Sequence, residues 1–332
     1  MCLISKPYII LLVAASCLPC SAVIAQITSS ASAQNYPARA IRLVVPSAPG
    51  GGTDIVGRVL AAKLTEYLGQ QVTVDNRAGA GTTIGIDIVA KSAPDGYTLM
   101  LSASSEVSMN VVLFRKMPYN ALRDLAPITQ IASVPNVLVV HPSLPVKSVP
   151  GFIALANKQP DAINVGSAGI GTSPHLSLAL FTHLAKVSVV HVAYKGSGNA
   201  TIANLSGEVS AQIPSLPTAM NHIKSNRLRA LGVTTAKRSP YLAQVPAIGE
   251  FLPGYEATQW FGFLAPAATP QPVLDRLSQE ALRALKAPDL AKLMASEGAE
   301  IVASTPAQFG AYLRAETDKW GRVIKAAGIK PQ

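Results

Sequence analysis

Short apolar runs alternate with amphipathic stretches along almost the whole chain. Runs with the length and β-branched content of strands occur at residues 41–45, 72–75, 97–101, 137–140, 163–165, 187–192, 209–213 and 228–233. Apolar side chains recur at helical spacing from Ile55 to Leu68, and from residue 270 onwards the pattern is mostly helical. Because strands that alternate with helices form parallel-rich sheets covered on both faces, the pattern predicts an α/β fold.

Two lobes are predicted from chain length and from proline-marked extended segments. The chain has 332 residues, more than a single hydrophobic core usually holds. Extended segments with proline at residues 134–142 and 252–255 set off a middle region, and the strand-like residues 261–264 return the chain to the first lobe. We therefore predict lobe 1 at residues 36–140 and 256–332, lobe 2 at residues 141–255, and a hinge made of two crossings.

The N-terminal residues have the layout of a secretory leader. Lys6 precedes an apolar run at residues 8–18, which is shorter than the roughly 20 apolar residues that a spanning helix needs. Small residues follow, so we predict a signal peptide at residues 1–25, with cleavage after Ala25 or, as a second choice, after Ala33. The mature protein is therefore expected in the periplasm.

Composition then removes several classes of site. All three cysteines, Cys2, Cys17 and Cys20, lie in the predicted leader, so no thiol nucleophile, disulfide or cysteine metal site is expected after cleavage. The formal net charge is +10, and since Lys6 is the one charge in the leader, 10 − 1 leaves +9. The basic residues are scattered and aromatic residues make up 5% of the chain, which argues against nucleic acid and favours small anions as partners.

A glycine-rich bend at residues 46–54 joins the first strand to the first helix. Thr53 or Asp54 is suited to cap that helix, whose free N–H groups and positive dipole end then meet a loop that a ligand can approach closely. The bend lacks the lysine of a P-loop, and the glycines at residues 79–85 miss the dinucleotide fingerprint. The sequence therefore predicts an anion pocket and no cofactor.

A second glycine-rich turn, at residues 166–175, follows the strand at 163–165 and opens an apolar helix. Thr172 or Ser173 is suited to cap this helix, and Pro174 suits its first turn. Because the two-lobe prediction places this turn opposite the first bend, two helix N-termini are expected to face one cleft.

Several ordered blocks together resemble a known family. They are Pro46 to Asp54, Asn76-Arg77-Ala78-Gly79-Ala80-Gly81, Pro94-Asp95-Gly96-Tyr97, Gly166 to Leu176, His191-Val192-Ala193-Tyr194-Lys195-Gly196, Leu228-Arg229-Ala230-Leu231, Pro253-Gly254-Tyr255-Glu256 and Trp260-Phe261-Gly262. The chain is similar, from about Tyr36 onwards, to the Bug family, the periplasmic receptors of tripartite tricarboxylate transporters.

The resemblance implies a type II periplasmic binding-protein fold, with two lobes of mixed, parallel-rich sheets around a cleft for a small carboxylate. In that family the carboxylate is held by backbone amides, hydroxyls and bridging waters. Carried over, this implies ligand contacts from Ser47, Gly52, Thr53, Asp54, Thr82, Ser102, Ser104, Ser167, Gly171, Thr172, His175 and Tyr194. The chain departs from the family pattern at Ala78, Thr82, Ala193 and Ser210, so ligand preference stays open.

Two interpretations remain open at single residues. Asp54 is expected either to cap its helix or to contact the ligand, and His175 either to face the cleft or to begin a helix. His175, His183 and His191 are eight residues apart and no HExxH pattern occurs, so no metal site is predicted.

The leading functional hypothesis is a monomeric receptor that delivers a small carboxylate to the membrane subunits of a tripartite tricarboxylate transporter. The alternative is a ligand-loaded sensor that signals to a membrane histidine kinase. A secreted hydrolase is a weaker third hypothesis, because no Gly-x-Ser-x-Gly elbow or paired acid and base is present. We therefore predict that the protein is not an enzyme.

Overall fold

A computed structural model describes residues 35–47, 49–50, 52–113, 117–296 and 298–326. By its internal contacts the chain divides into two units, Met1–Tyr36 and Pro37–Gln332, and every element named below belongs to the second. The predicted signal peptide and both predicted cleavage positions lie outside the described residues. Among the described helices, none is both long enough and apolar enough to cross a membrane.

A first sheet contains six strands. They are β1 (Ile41–Val45), β2 (Val72–Asn76), β3 (Thr98–Ala103), β4 (Leu125–Pro135), β10 (Thr258–Pro266) and β11 (Glu300–Ile301), in the order β11-β4-β10-β3-β1-β2. The strand β1 is parallel to β2 and β3, whereas β10 is antiparallel to both β3 and β4. The long strand β4 was not among the predicted runs, since polar residues such as Gln130 interrupt its apolar pattern.

A second sheet contains five strands. They are β5 (Val137–Val140), β6 (Asn164–Ser167), β7 (Val190–Ala193), β8 (Ala211–Gln212) and β9 (Arg229–Val233), in the order β7-β6-β8-β5-β9. The strand β6 is parallel to β7 and β8, and β5 is antiparallel to β8 and β9. Both sheets are therefore mixed, and the strands beside the crossings carry the antiparallel pairs.

Eleven α-helices of the described ranges pack around the sheets. They are α1 (Gly52–Leu68), α2 (Thr83–Ala90), α3 (Asn110–Leu113), α4 (Ala121–Asp124), α5 (Val149–Lys158), α6 (Ser173–Ala185), α7 (Ser197–Ser206), α8 (Leu216–Lys224), α9 (Gln271–Leu285), α10 (Pro288–Ser296) and α11 (Pro306–Ala326). A π-helical segment, Ser105–Met109, follows β3. Proline in the first turn of α5, α6, α8 and α9 fits their starts, where the missing N–H costs nothing.

The C-terminal helix α11 packs against the cores of both sheets. Phe309 lies in the core of the first sheet and meets Trp260 edge-on, with the ring centroids 5.5 Å apart. Trp320 lies in the core of the second sheet, and its indole N–H donates to the buried carboxylate of Glu316. Burying each aromatic side chain contributes about 1.5–3 kcal/mol, so α11 holds the two halves together.

The chain passes between the sheets twice. Asn136 alone separates β4 from β5, and residues 234–257 separate β9 from β10. The two crossings bond to each other, because Thr234 N–H donates to the Asn136 carbonyl at 2.9 Å and Asn136 N–H donates to Thr234 Oγ1 at 2.9 Å. The predicted lobe boundary after residue 140 left Val137–Val140 in lobe 1, whereas this strand pairs within the second sheet.

Candidate functional site

A cavity of about 570 Å³ lies between elements of the two sheets. Its walls come from the bend after β1, the first turn of α1, the ends of β4 and β10, and the N-terminal turns of α7 and α8. The lining residues are Ser47, Pro49, Gly50, Gly52, Ile55, Val56, Val134, Ser197, Gly198, Ser215, Pro217, Thr218, Gln259, Phe261 and Ala299. Of the predicted site residues, Ser47 and Gly52 are among them.

Three helix N-termini converge on this cleft. The helix α1 begins at Gly52, and α7 and α8 begin beside Ser197 and Ser215. Neither α7 nor α8 has a side-chain hydrogen bond that caps its first turn. Their first N–H groups are therefore left for water or for a ligand. Each start also contributes about half a positive charge, so the cleft is suited to an anion.

Hydroxyl groups add further donors to the cleft. Ser47 Oγ is buried and has no hydrogen-bond partner within the described residues. Ser215 Oγ lies 2.9 Å from Thr218 Oγ1, and both residues line the cavity. The alternating pattern of strand, small residues and helix that singled out the first bend also occurs at Gly196-Ser197-Gly198 and at Ser215. Sequence reasoning missed these two helix starts although the signal was the same.

Asp54 stabilises the first bend through hydrogen bonds. Its Oδ2 accepts hydrogen bonds from Gly50 N–H at 2.8 Å and from Arg58 Nε at 3.0 Å, and its Oδ1 accepts one from Asn76 Nδ2 at 3.0 Å. Burial would raise the pKa of Asp54, but these bonds from Arg58, Gly50 and Asn76 outweigh it and hold the pKa below its usual value. Asp54 and Thr53 are both buried and do not line the cavity. Asp54 therefore stabilises the bend from within the first turn of α1, through contacts that are neither a cap on a first-turn N–H of the helix nor a contact with the cleft.

The second predicted loop is closed by its own hydrogen bonds. Gly171 N–H donates to His175 Nδ1 at 3.1 Å, and Thr172 Oγ1 donates to the Gly169 carbonyl at 2.6 Å. Ser167 Oγ lies 2.6 Å from Nε2 of His191, a residue that sequence reasoning did not place in a site. These side chains belong to a compact turn, and none of them lines the cavity.

A stacked pair of imidazoles lies beside the turn, one from α6 and one from β7. His175 and His191 have ring centroids 4.4 Å apart and an angle of 21° between the rings. Burial and then the neighbouring His191 lower the pKa of His175 to about 4, and burial lowers the pKa of His191. Both rings are therefore neutral near pH 7. Within the described ranges, no three His, Cys, Asp or Glu side chains gather as metal ligands would.

Gly171 brings this turn against the short helix α3. A Cβ built on Gly171 would lie 2.8 Å from Leu113 Cδ2 and 3.0 Å from Asn110 Oδ1, so a hydrogen atom is required there. Asn110 in turn lies within reach of Thr82, since its Nδ2 is 3.5 Å from Thr82 Oγ1. Gly171 and Thr82, both predicted site residues, thus meet around Asn110 outside the lining of the cavity.

The remaining predicted residues point elsewhere. Ser102, in β3, and Ser104, directly after it, are fully buried, and the Ser102 hydroxyl and Ala103 N–H both donate to Glu106 Oε2. Burial raises the pKa of Glu106 to about 7, although these two hydrogen bonds act in the opposite direction. The hydroxyl of Tyr194 donates to Glu208 at 2.7 Å, and neither serine nor Tyr194 lines the cavity.

Comparison with known proteins identifies the family. A family model described as the tripartite tricarboxylate transporter family receptor matches residues 56–329. The chain belongs to this receptor family. It is 38% identical over 308 residues to the protein BugT of Bordetella pertussis, which covers 92% of the chain and 94% of BugT. The resemblance to the Bug family is therefore confirmed.

Solved structures of this receptor family share the fold. The structure of R. palustris Rpa4515 with adipate has 36% identity and a TM-score of 0.83, over 90% of this chain and all of that one. The periplasmic binding protein BugD has 31% identity and a TM-score of 0.80, over the same shares. The predicted periplasmic binding-protein fold is confirmed. These relatives are solute-binding proteins and not enzymes, so the chain is a solute-binding protein, as predicted.

Proposed function

We propose that this receptor binds a small carboxylate in the cleft and delivers it to the membrane subunits of a tripartite tricarboxylate transporter. The proposal is supported by the family match and by Rpa4515, a similar protein that holds adipate. The predicted leader supports export to the periplasm, where such a ligand would be captured.

The choice of a carboxylate as the ligand is based on the composition of the cleft. The cleft collects the starts of α1, α7 and α8, and among its described lining residues none carries a charge. A carboxylate accepts hydrogen bonds well from backbone N–H groups and hydroxyls, which are the donors present. A cationic ligand would meet the positive ends of three helix dipoles and no acidic side chain.

We further propose that each sheet forms one lobe and that the crossings act as a hinge. Asn136 is the whole of the first crossing, and residues 234–257 make the second. The starts of α1, on the first-sheet side, and of α7 and α8, on the second-sheet side, line the same cleft. A ligand that touches both sides binds the closed form better than the open form, so binding shifts the population towards closure.

Isothermal titration calorimetry with adipate tests this proposal on a matched pair of serines at the two ends of α8. Ser215 lines the cleft, whereas Ser225 lies at the other end of the helix and bonds to the Asn221 carbonyl. We expect Ser215→Ala to weaken binding about tenfold to a hundredfold, since one hydrogen bond to a charged group is lost, and Ser225→Ala to leave it unchanged. Recovered adipate should be chemically intact by mass spectrometry.

Equal affinity of the Ser215→Ala variant and its parent would remove the α8 start from the site. Absence of heat with every member of a panel of carboxylates would contradict the proposed ligand class. Conversion of a bound ligand would contradict the receptor function itself.

A further inference from the structure

The wall of the cleft has a continuous apolar part beside its donors. Ile55 and Val56 follow the start of α1 directly, and Phe261 approaches the same turn. A Cβ built on Gly52 would lie 3.5 Å from Phe261 Cζ, which places the aromatic ring next to the first N–H groups of the helix. A ligand whose carboxylate meets α1 therefore brings its adjoining atoms against hydrocarbon.

Packing fixes most of this apolar wall in place. Val134 is 2% exposed and Phe261 is 3% exposed, so both are held by the fold. Ile55, by contrast, is 37% exposed and presents its side chain at the cleft. Covering such surface releases ordered water and gains about 0.8 kcal/mol for each methylene of the ligand that is buried.

The arrangement of charged side chains around the cleft also favours an apolar ligand body. Arg58, a nearby cation on α1, is directed to Asp54 and Asn76 and does not line the cavity. A carboxylate held against the apolar part of the wall, away from the helix starts, would lose its hydration without meeting a cation, which costs several kcal/mol. A hydroxyl on the ligand body would likewise lose its hydration against Ile55 and Phe261. This side of the cleft thus penalises polar groups on the body of the ligand and rewards hydrocarbon, whereas the donors of the cleft lie at the helix starts and at residues such as Ser47 and Ser215.

We propose, resting on the carboxylate function proposed above, that the ligand is a carboxylate with an apolar body: an aliphatic or aromatic acid with one or two carboxylates. Hydroxylated dicarboxylates and tricarboxylates are then poor ligands of this receptor. Ile55 and Phe261 select the body, and the starts of α1, α7 and α8 select the charged ends.

Calorimetry with matched acids tests the proposal. Succinate, glutarate and adipate differ by single methylenes, and malate is succinate with one hydroxyl. We expect affinity to rise about fourfold for each added methylene, the equivalent of 0.8 kcal/mol, and malate to bind more weakly than succinate. A flat series, or malate or citrate binding more tightly than succinate, would overturn the apolar-body proposal while leaving the carboxylate function intact. No binding by any acid would instead contradict the carboxylate function.

A pair of isoleucine variants locates the effect. Ile55 lines the cleft, whereas Ile202, on α7, is 66% exposed and does not line it. We expect Ile55→Ala to weaken adipate binding about threefold to tenfold, with malate affinity within about twofold of the parent, and Ile202→Ala to change neither. Because both side chains are exposed, thermal unfolding should be close to that of the parent for both. Unchanged adipate affinity in Ile55→Ala would overturn the placement of the body against α1.

Discussion

Three single residues, one buried and two half-buried, are expected to make the stability of this protein depend on pH. Glu106 lies in the π-helical segment after β3, and its partners are the neutral donors Ser102 and Ala103. His175, on α6, and His191, on β7, are half-buried and stack on each other beside the second glycine-rich turn. Burial favours the neutral form of all three side chains, since a charge would lose its hydration without a counterion. Their effects on stability run in opposite directions along the pH scale.

Glu106→Gln should stabilise the protein at alkaline pH. The pKa of Glu106 is about 7 in the folded chain against 4.5 ordinarily, so below pH 4.5 the carboxyl is neutral in both states and above pH 7 folding must bury a charge. Relative to the parent, the variant should therefore gain about 3 kcal/mol of unfolding free energy between pH 4 and pH 8. Urea titrations at the two pH values measure the gain. A pH-independent difference would show that Glu106 is not buried as described.

His175→Gln should remove part of the stability loss on acidification. The pKa of His175 is about 4 when folded against 6.5 ordinarily, so between these values the unfolded chain takes up a proton that the folded chain refuses. Stability should fall by about 2 kcal/mol from pH 7.5 to pH 5 on account of this residue. Chemical unfolding of the parent and the variant at both pH values isolates the contribution. An identical loss in both proteins would count against it.

At the level of elements, two glycine-rich turns that look alike in sequence have different roles. Gly52 begins α1 with its face open to the cleft, whereas Gly171 has a φ of +79° and packs against Leu113. Gly198 also faces the cleft, with nothing within 4 Å of a Cβ built on it. Glycine is therefore required for backbone geometry at Gly171, and under the proposed function we expect it to allow close approach of a ligand at Gly52 and Gly198.

Alanine substitutions separate these two roles. Gly171→Ala should lower the unfolding free energy by about 1–3 kcal/mol, because a left-handed residue with a Cβ also collides with Leu113. Gly198→Ala should leave stability within about 0.5 kcal/mol of the parent but weaken carboxylate binding, since the methyl group enters the cleft. Unfolding curves and calorimetry on both variants test this. The reverse assignment of effects would show that the second turn, and not α7, holds the ligand.

The sequence predicts elements better than it predicts the site. The strand Ile41–Val45 and the helix after it were predicted almost to the residue, because β-branched runs and helical periodicity are local properties. The strand β4 was not predicted, because its side chains alternate irregularly around a bulge opposite Phe261 and Gly262. The strand Val137–Val140 was predicted, but the sheet to which it belongs was not, because its pairing with β8 and β9 depends on residues distant in the chain.

The lining of the candidate cleft was predicted only in part for a similar reason. Ser47 and Gly52 line the cavity and were singled out from the sequence because the bend after β1 combines a strand, several glycines and a helix start. Whether a hydroxyl faces a cleft or its own turn depends on packing, and Ser102, Ser167 and Thr172 turned out to bond within the protein. Gln259 and Phe261 belong to a strand whose face is set by the sheet, which a strand pattern alone does not orient.

In the whole molecule, a polar crossing joins two packed cores. Asn136 is fully buried, and its Nδ2 donates to Ser173 Oγ at 2.8 Å and to Ser177 Oγ at 2.9 Å. Its backbone bonds to Thr234 in the second crossing. Asn136 therefore connects both crossings to the start of α6. Because these hydrogen bonds all involve Asn136, at the crossing itself, we expect them to persist when the two halves rotate and the cleft opens.

We propose that a ligand binds between the two halves and closes them. Small-angle X-ray scattering tests this directly, because it measures the radius of gyration with and without a saturating carboxylate. Adipate at about 100 times its dissociation constant, which adds roughly 2.7 kcal/mol of stability, ensures that nearly every molecule is loaded. We expect a smaller radius of gyration for the loaded protein and the original value after the ligand is dialysed away. An unchanged scattering profile at saturation, with binding verified by calorimetry on the same sample, would contradict closure of the cleft.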